Sequence, residues 1–138
     1  MAYEIKHLDS STVTGKQYSL EFPINPESAD DTADLQKKIL PTDEGVIRAI
    51  VKIDKKDSDT FHYLVSSTDG DKTFEIPAGD YAVSERSFHT ISDITGAISA
   101  SYAEIETDND YVISENYNIS DIDFPNQLVV VSLPVKKG

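Results

Sequence analysis

The stretch YVISENY, residues 111–117, carries the pattern on which the interpretation of the whole chain rests. Its alternation predicts a β-strand. One face of that strand carries Tyr111, Ile113, Glu115 and Tyr117. A buried carboxylate among apolar side chains needs a positive or hydrogen-bonding partner, and a cation held over tyrosine rings is one. The alternative is that this strand end lies at the sheet rim, with Glu115 in water.

Length and composition limit the class of protein. We expect residues 1–138 to form a single domain, because this length supports a proper core. The absence of cysteine excludes disulfides, thiolate catalysis and cysteine-bound metal. No apolar segment has the length of a signal sequence core or a membrane span, so we expect a soluble, cytoplasmic protein without membrane contact.

The charge balance is strongly acidic. There are 25 acidic residues against 12 Lys and Arg, which gives a formal net charge of −13. This argues against direct nucleic-acid binding, which requires a basic patch, and it favours cations near the surface. Solubility alone is an equally ordinary explanation of an acidic surface.

Outward from residues 111–117, the second half of the chain contains a helix and a final strand. The predicted helix Thr90–Glu106 begins at a Thr90 or Ser92 cap. Its apolar stripe consists of Ile91, Ile94, Ile98, Tyr102 and Ile105. Leu128–Val135 is predicted as the last strand, after a polar loop over Ser120–Asn126.

The first half has the same order of elements. Extended segments over residues 3–22 precede a short helix near residues 28–40, and a hairpin follows in Val46–Ile53 and Phe61–Val65. The order predicts a β-α-β-β unit used twice, as repeats 1–70 and 71–138. We therefore predict an α+β fold, with two helices on one side of an antiparallel sheet and a cleft between the halves.

Most catalytic and metal motifs are missing from the sequence. The acidic turns and the three histidines lack metal-ligand spacing, so we predict no metal. There is no nucleophile elbow, Walker loop or dinucleotide fingerprint, and we predict no cofactor. What remains is seven tyrosines and five phenylalanines beside acidic residues, with no tryptophan. Glu85 and Glu115 are the acids that alternation places on otherwise apolar faces, although most such tyrosines are ordinary core residues.

Three motifs together resemble the GyrI-like effector-binding domain, the ligand module of many bacterial transcription activators. They are FEIPAGDYAV at residues 74–83, SENY at 114–117 and LPVKK at 133–137. They are similar to the family's "PAGxYAV" strand entry, its "E-x-Y" after the second helix and its terminal "PVK" strand. The fold of that family also resembles the SOUL haem-binding proteins.

The resemblance implies an aromatic pocket between the halves, with a carboxylate that meets cationic drug-like ligands. It carries the family glutamate onto Glu115 and the "PAGxYAV" tyrosine onto Tyr81. The predicted ligand-binding set is Glu115, Tyr81, Tyr102, Tyr111, Tyr117 and Glu85. The chain departs from the family in having no tryptophan near the second helix, and in Ser84, which stands where an aromatic often follows "YAV".

The favoured interpretation is a stand-alone domain that senses or sequesters an amphipathic, cationic aromatic small molecule, with a link to transcription regulation. No DNA-binding helices precede the domain, so we expect it not to be a full activator by itself. One alternative is a small-molecule hydrolase with Glu115 as general base, although the missing tryptophan weighs against it. Another is an acidic protein that binds a protein partner, as gyrase-inhibiting relatives suggest, and haem binding is the weakest.

Overall fold

A computed structural model describes residues 3–21, 45–53, 60–67, 70–108 and 110–138. Its elements are β1 (Glu4–Leu8), β2 (Ser11–Glu21), β3 (Val46–Ile53), β4 (Thr60–Ser66), β5 (Lys72–Ile76), β6 (Gly79–Ser87), α1 (Ile91–Asp108), β7 (Tyr111–Ile113), β8 (Tyr117–Asp123) and β9 (Leu128–Lys137). Every strand pairing among these is antiparallel, which confirms the predicted α+β class. The helix predicted near residues 28–40 lies outside the described residues.

The strands form one large sheet in the order β1-β6-β9-β8-β3-β4-β2-β5, and β7 pairs with the end of β9. Exchanging β1 with β5, β2 with β6, β3 with β8 and β4 with β9 gives the same order read from the other end of the sheet. The centre of the exchange is the pairing of β8 with β3, which runs from Val46 opposite Asp123 to Lys52 opposite Tyr117. The symmetry supports the repeats 1–70 and 71–138, which remain a prediction.

Two short connections make the sheet curl. Residues 9–10 link β1 to β2, and residues 77–78 link β5 to β6, although each pair of strands lies towards opposite ends of the sheet. The rings of Phe74 on β5 and Tyr117 on β8 are 5.1 Å apart, although three strands separate β5 from β8 in the order. In a flat sheet these strands would be about 19 Å apart, so the two ends bend towards one another.

Curling gives the sheet two differently packed faces. The helix-side cluster includes Ile94, Ala97 and Ile105 of α1 together with sheet residues such as Ile122 and Leu133. The inner cluster consists of Val13, Ile50, Leu64, Ile76, Tyr81, Tyr117 and Ile119, with Leu8, Phe74 and Val83 packed against it. Alternate residues of each central strand therefore enter different clusters, as the pleat requires.

Helix α1 is anchored by its cap and by an ion pair. Thr90 Oγ1 accepts a hydrogen bond from the Asp93 backbone, and the Asp93 carboxylate accepts from the Thr90 and His89 backbones, so Thr90 is the cap. Arg86 on β6 forms an ion pair with Glu104. No helix within the described part of the chain is long and apolar enough to cross a membrane.

The predicted single strand over residues 111–117 is wrong. β7 ends at Ile113 and β8 begins at Tyr117. Ile113 pairs with Val135, and Ile119 pairs with Ser132, so six steps along this segment match three along β9. Residues 114–116 are therefore an extruded segment without partner residues in β9, although the Ser114 backbone N–H still donates to the Pro134 carbonyl at 3.0 Å. The polar loop predicted to begin at Ser120 is also wrong, because β8 continues to Asp123.

Candidate functional site

The extruded segment forms part of the wall of a surface pocket of about 340 Å³. Among the described residues, the pocket is lined by Ile113, Ser114, Glu115 and Asn116. The Glu115 side chain is exposed, which corresponds to the rim position considered as the alternative in the sequence. A carboxylate, a hydroxyl and an amide thus meet an apolar side chain at one opening. Such a wall can hold a cationic group beside an apolar body.

Tyr81 and Tyr117, two of the predicted site residues, meet in the inner cluster. Their phenolic oxygens are 2.6 Å apart, and the Tyr81 hydroxyl donates to the Pro77 carbonyl at 2.8 Å. Tyr117 therefore donates to Tyr81. Burial raises the pKa of Tyr117 far above its ordinary value, and the hydrogen bond with Tyr81 and the charges of Tyr81 and Glu115 raise it further. The Glu115 carboxylate thus acts electrostatically on Tyr117.

Tyr102 and Tyr111 lie with the other face of the sheet. Both pack against the helix-side cluster. The Tyr102 hydroxyl accepts a hydrogen bond from Asn118 Nδ2 at 3.3 Å, and burial raises the pKa of Tyr102. Tyr111 therefore does not share a face with Tyr117, although both were placed together by alternation.

Glu85 is also separated from the pair of buried tyrosines. It is exposed on β6, four residues after Tyr81, which corresponds to about 13 Å along the strand. The structure thus brings Tyr81 and Tyr117 into contact and places Glu115 close enough to Tyr117 for its charge to raise the pKa of that phenol. It places Tyr102 and Tyr111 on the helix side and Glu85 towards the other end of β6.

Several buried polar residues on the helix side were not predicted. Ser84 and Ser101 share a hydrogen bond of 2.9 Å, and Ser101 also donates to the Ala97 carbonyl. Ser84 therefore ties β6 to α1. Asn118 and Ser120, each only 2% exposed, occupy alternate positions of β8. The sequence carries a weak signal for them, because residues 118, 120 and 122 share one face once β8 is recognised as a strand.

Comparison with known proteins gives similarity at the level of structure. No sequence profile of a protein family matches this chain, and no curated protein matches it. SAV2435 bound to tetraphenylphosphonium superposes with a TM-score of 0.69 at 15% identity, over 99% of this chain and 94% of that one. The C-terminal domain of EcmrR gives 0.57 at 14% identity and covers both chains fully, 100% each.

EcmrR in its cryo-EM complex with DNA gives a TM-score of 0.54 at 14% identity, over 100% of this chain and 59% of that one. Identities this low establish the fold alone. The chain has the GyrI-like effector-binding fold, as the three motifs predicted.

Proposed function

We propose that this chain is a small-molecule-binding effector domain associated with transcription regulation, and that its ligand is an amphipathic, cationic aromatic molecule. The observation that carries the proposal is the combination of the GyrI-like effector-binding fold with a pocket whose wall contains Glu115. Carboxylate charge and apolar surface at one opening are the complement of such a ligand.

The similar structures support the ligand class and the biological context. SAV2435 was solved with tetraphenylphosphonium, a cation surrounded by aromatic rings. EcmrR, whose C-terminal domain has this fold, was solved in complex with DNA. With a formal charge of −13, this chain is not proposed to contact DNA itself.

The exposure of Glu115 limits how much its charge contributes to binding. An exposed carboxylate remains solvated and is screened by salt, so its attraction for a bound cation is modest. We expect about 0.4–1 kcal/mol, which is about a two- to fivefold change in Kd. Aromatic and apolar contact supplies the rest of the affinity.

The test is to measure Kd for tetraphenylphosphonium and for neutral triphenylphosphine oxide by isothermal titration calorimetry. Wild type should bind the cation more tightly. Glu115→Gln should weaken the cation about two- to fivefold, leave the neutral compound unchanged and reduce the salt dependence of cation binding. Glu85→Gln is the matched control, because it removes the same charge from an exposed position on another strand.

Two results would contradict the proposal. If neither compound binds, or if wild type and Glu115→Gln bind the cation and the neutral compound with the same Kd, the pocket does not select cations. If Glu85→Gln weakens the cation as much as Glu115→Gln does, the effect belongs to the overall charge and not to the pocket.

A further inference from the structure

We propose that Asn118 and Ser120 form an acceptor subsite on the helix side of β8, which binds N–H or O–H groups of the ligand. The inference rests on the proposed function and deepens it. It narrows the ligand class from aromatic cations in general to aromatic cations that carry hydrogen-bond donors, such as aromatic amines.

The two side chains lie on the same face of the sheet. Asn118 is opposite Val51 of β3, and Ser120 is opposite Ala49 of β3 and Val131 of β9. These three partners all belong to the helix-side cluster. Because cross-strand partners share a face, Asn118 and Ser120 point towards the helix side, about 7 Å apart along β8.

Each side chain has a buried acceptor without a partner. Asn118 Nδ2 donates to the Tyr102 hydroxyl, which leaves Asn118 Oδ1 with no hydrogen bond, and Ser120 Oγ has none. A buried acceptor without a donor is costly, so such atoms are rare unless something fills the need. Two such acceptors on one strand face form a polar site whose hydrogen bonds the protein itself does not complete.

Other buried polar groups of the described residues are accounted for differently. Ser84 and Ser101 satisfy one another, as do the phenols of the inner cluster. The two further atoms without a partner, Arg86 Nε and Glu104 Oε2, belong to groups already joined in an ion pair. Unsatisfied neutral acceptors are therefore confined, in the described residues, to the helix-side face of β8.

The proposed subsite follows the pocket wall along the chain. Ile113 lines the pocket and also packs on the helix-side cluster, and Asn116 of the pocket wall is two residues before Asn118. Tyr102 covers Asn118 from the helix through a hydrogen bond of 3.3 Å, which is long for such a bond. A ligand that enters beside Tyr102 exchanges this weak bond for stronger ones.

The chemistry of the acceptors defines the ligand. An amide oxygen accepts only, and a serine oxygen accepts and can donate in return. Tetraphenylphosphonium has no N–H or O–H group and leaves both acceptors unsatisfied. An aromatic cation with amino groups satisfies them while its ring and charge use the rest of the pocket.

The experiment compares proflavine, which carries two exocyclic amino groups, with acridine orange, in which both are dimethylated. Both are cationic acridines, and binding is followed by fluorescence titration with the full chain. Wild type should prefer proflavine by about three- to tenfold, the range expected of one or two neutral hydrogen bonds. In Ser120→Ala, the logarithm of the ratio of the two Kd values should fall to about half of its wild-type value or less.

Ser132→Ala is the matched control. Ser132 is a buried serine on β9 that pairs with Val83 and Ile119 of the inner cluster, so it lies on the opposite face of the sheet. It should leave the preference for proflavine unchanged. Thermal melts of both variants check that each is folded.

The outcomes separate this inference from the proposed function. If both dyes bind with a Glu115-dependent affinity but without preference, or if Ser120→Ala and Ser132→Ala behave alike, the subsite is wrong and the proposed function stands. If Ser120→Ala changes only the melting temperature, the acceptors serve a structural water and the subsite is again wrong. If neither dye nor tetraphenylphosphonium binds, the proposed function fails and the subsite fails with it.

Discussion

The two faces of the curled sheet differ in how completely their buried polar groups are hydrogen-bonded. On the inner face, the hydroxyls of Tyr81 and Tyr117 are joined to one another and to the Pro77 carbonyl. On the helix side, Asn118 and Ser120 retain buried acceptors without partners. A fully satisfied polar network stabilises a fold, whereas a buried acceptor is costly unless a donor from water or a ligand reaches it. The difference places the proposed subsite on the helix side of the sheet.

The largest expected effect disrupts the helix-side core without touching the inner face. Leu133→Ala removes a side chain that is 0% exposed, and we expect a loss of about 2–5 kcal/mol in the free energy of unfolding, because a cavity remains. Urea denaturation measures this loss. Val112→Ala, at an exposed position, should cost less than about 0.5 kcal/mol.

Ile98→Ala gives an internal check on the same face. The apolar stripe of the sequence marks Ile98 as core, but the structure leaves it half-buried. Its loss should therefore fall below that of Leu133→Ala, at less than about 2 kcal/mol. An equal or greater loss would show that Ile98 of α1 is more deeply packed than a half-buried side chain.

The next effect tests the inner face. Tyr81→Phe removes the hydroxyl that both donates to Pro77 and accepts from Tyr117, so we expect a loss of about 1–3 kcal/mol. Tyr117→Phe removes only a donor and should cost less. Equal losses in urea denaturation would contradict the donor order assigned here.

The same pair gives a pH dependence. Burial first, and then the contact with Tyr81, raise the pKa of Tyr117 above its unfolded value of 10.0. Its contribution to stability is fully present below pH 10 and is lost as the pH rises from there towards the folded pKa. Wild type should therefore lose stability above about pH 10. Tyr117→Phe should lose less over that range, although Tyr63, whose pKa burial also raises, still contributes.

The smallest expected effect concerns the start of α1, at the edge of the helix side. Backbone hydrogen bonds from His89 and Thr90 lower the pKa of Asp93 below 3.8. The stabilisation is present above pH 3.8 and is lost as the pH falls through the folded pKa. Asp93→Asn should therefore lower the melting temperature slightly at pH 7 and converge with wild type in acid. Asp71→Asn, at another exposed position, is the control and should leave the melting temperature at pH 7 unchanged.

The fold class was predictable from local patterns. The distribution of the predicted site residues over the two faces of the sheet was not. Thr90, the stripe of α1 and the final strand follow from periodicity and capping, which depend on neighbouring residues. The break between β7 and β8 depends on how each strand pairs with β9. Three extruded residues, an odd number, reverse the alternation, so Tyr111 and Tyr117 end on opposite faces. No local property of the segment encodes that offset.

The sequence pattern and the structure give different reasons for placing Glu115 at a binding site. Alternation placed it on a buried strand face among aromatics, but it lies in the extruded segment and reaches the pocket from outside the ladder. The carboxylates of Glu85 and Glu115 look equivalent in the sequence. Only the pairing of the strands distinguishes the one beside the pocket from the one along β6.

The exchange of edge strands has a consequence for how the chain folds. β1 sits at one end of the sheet beside β6, and β5 sits at the other end beside β2, so each end is closed by a strand from the other half of the sequence. Glu4 meets Val83 across nearly eighty positions of chain. Contacts this distant in sequence raise the contact order, and folding slows to about milliseconds or longer. A polypeptide emerging from the ribosome therefore holds β1 without its neighbour until β6 has been synthesised.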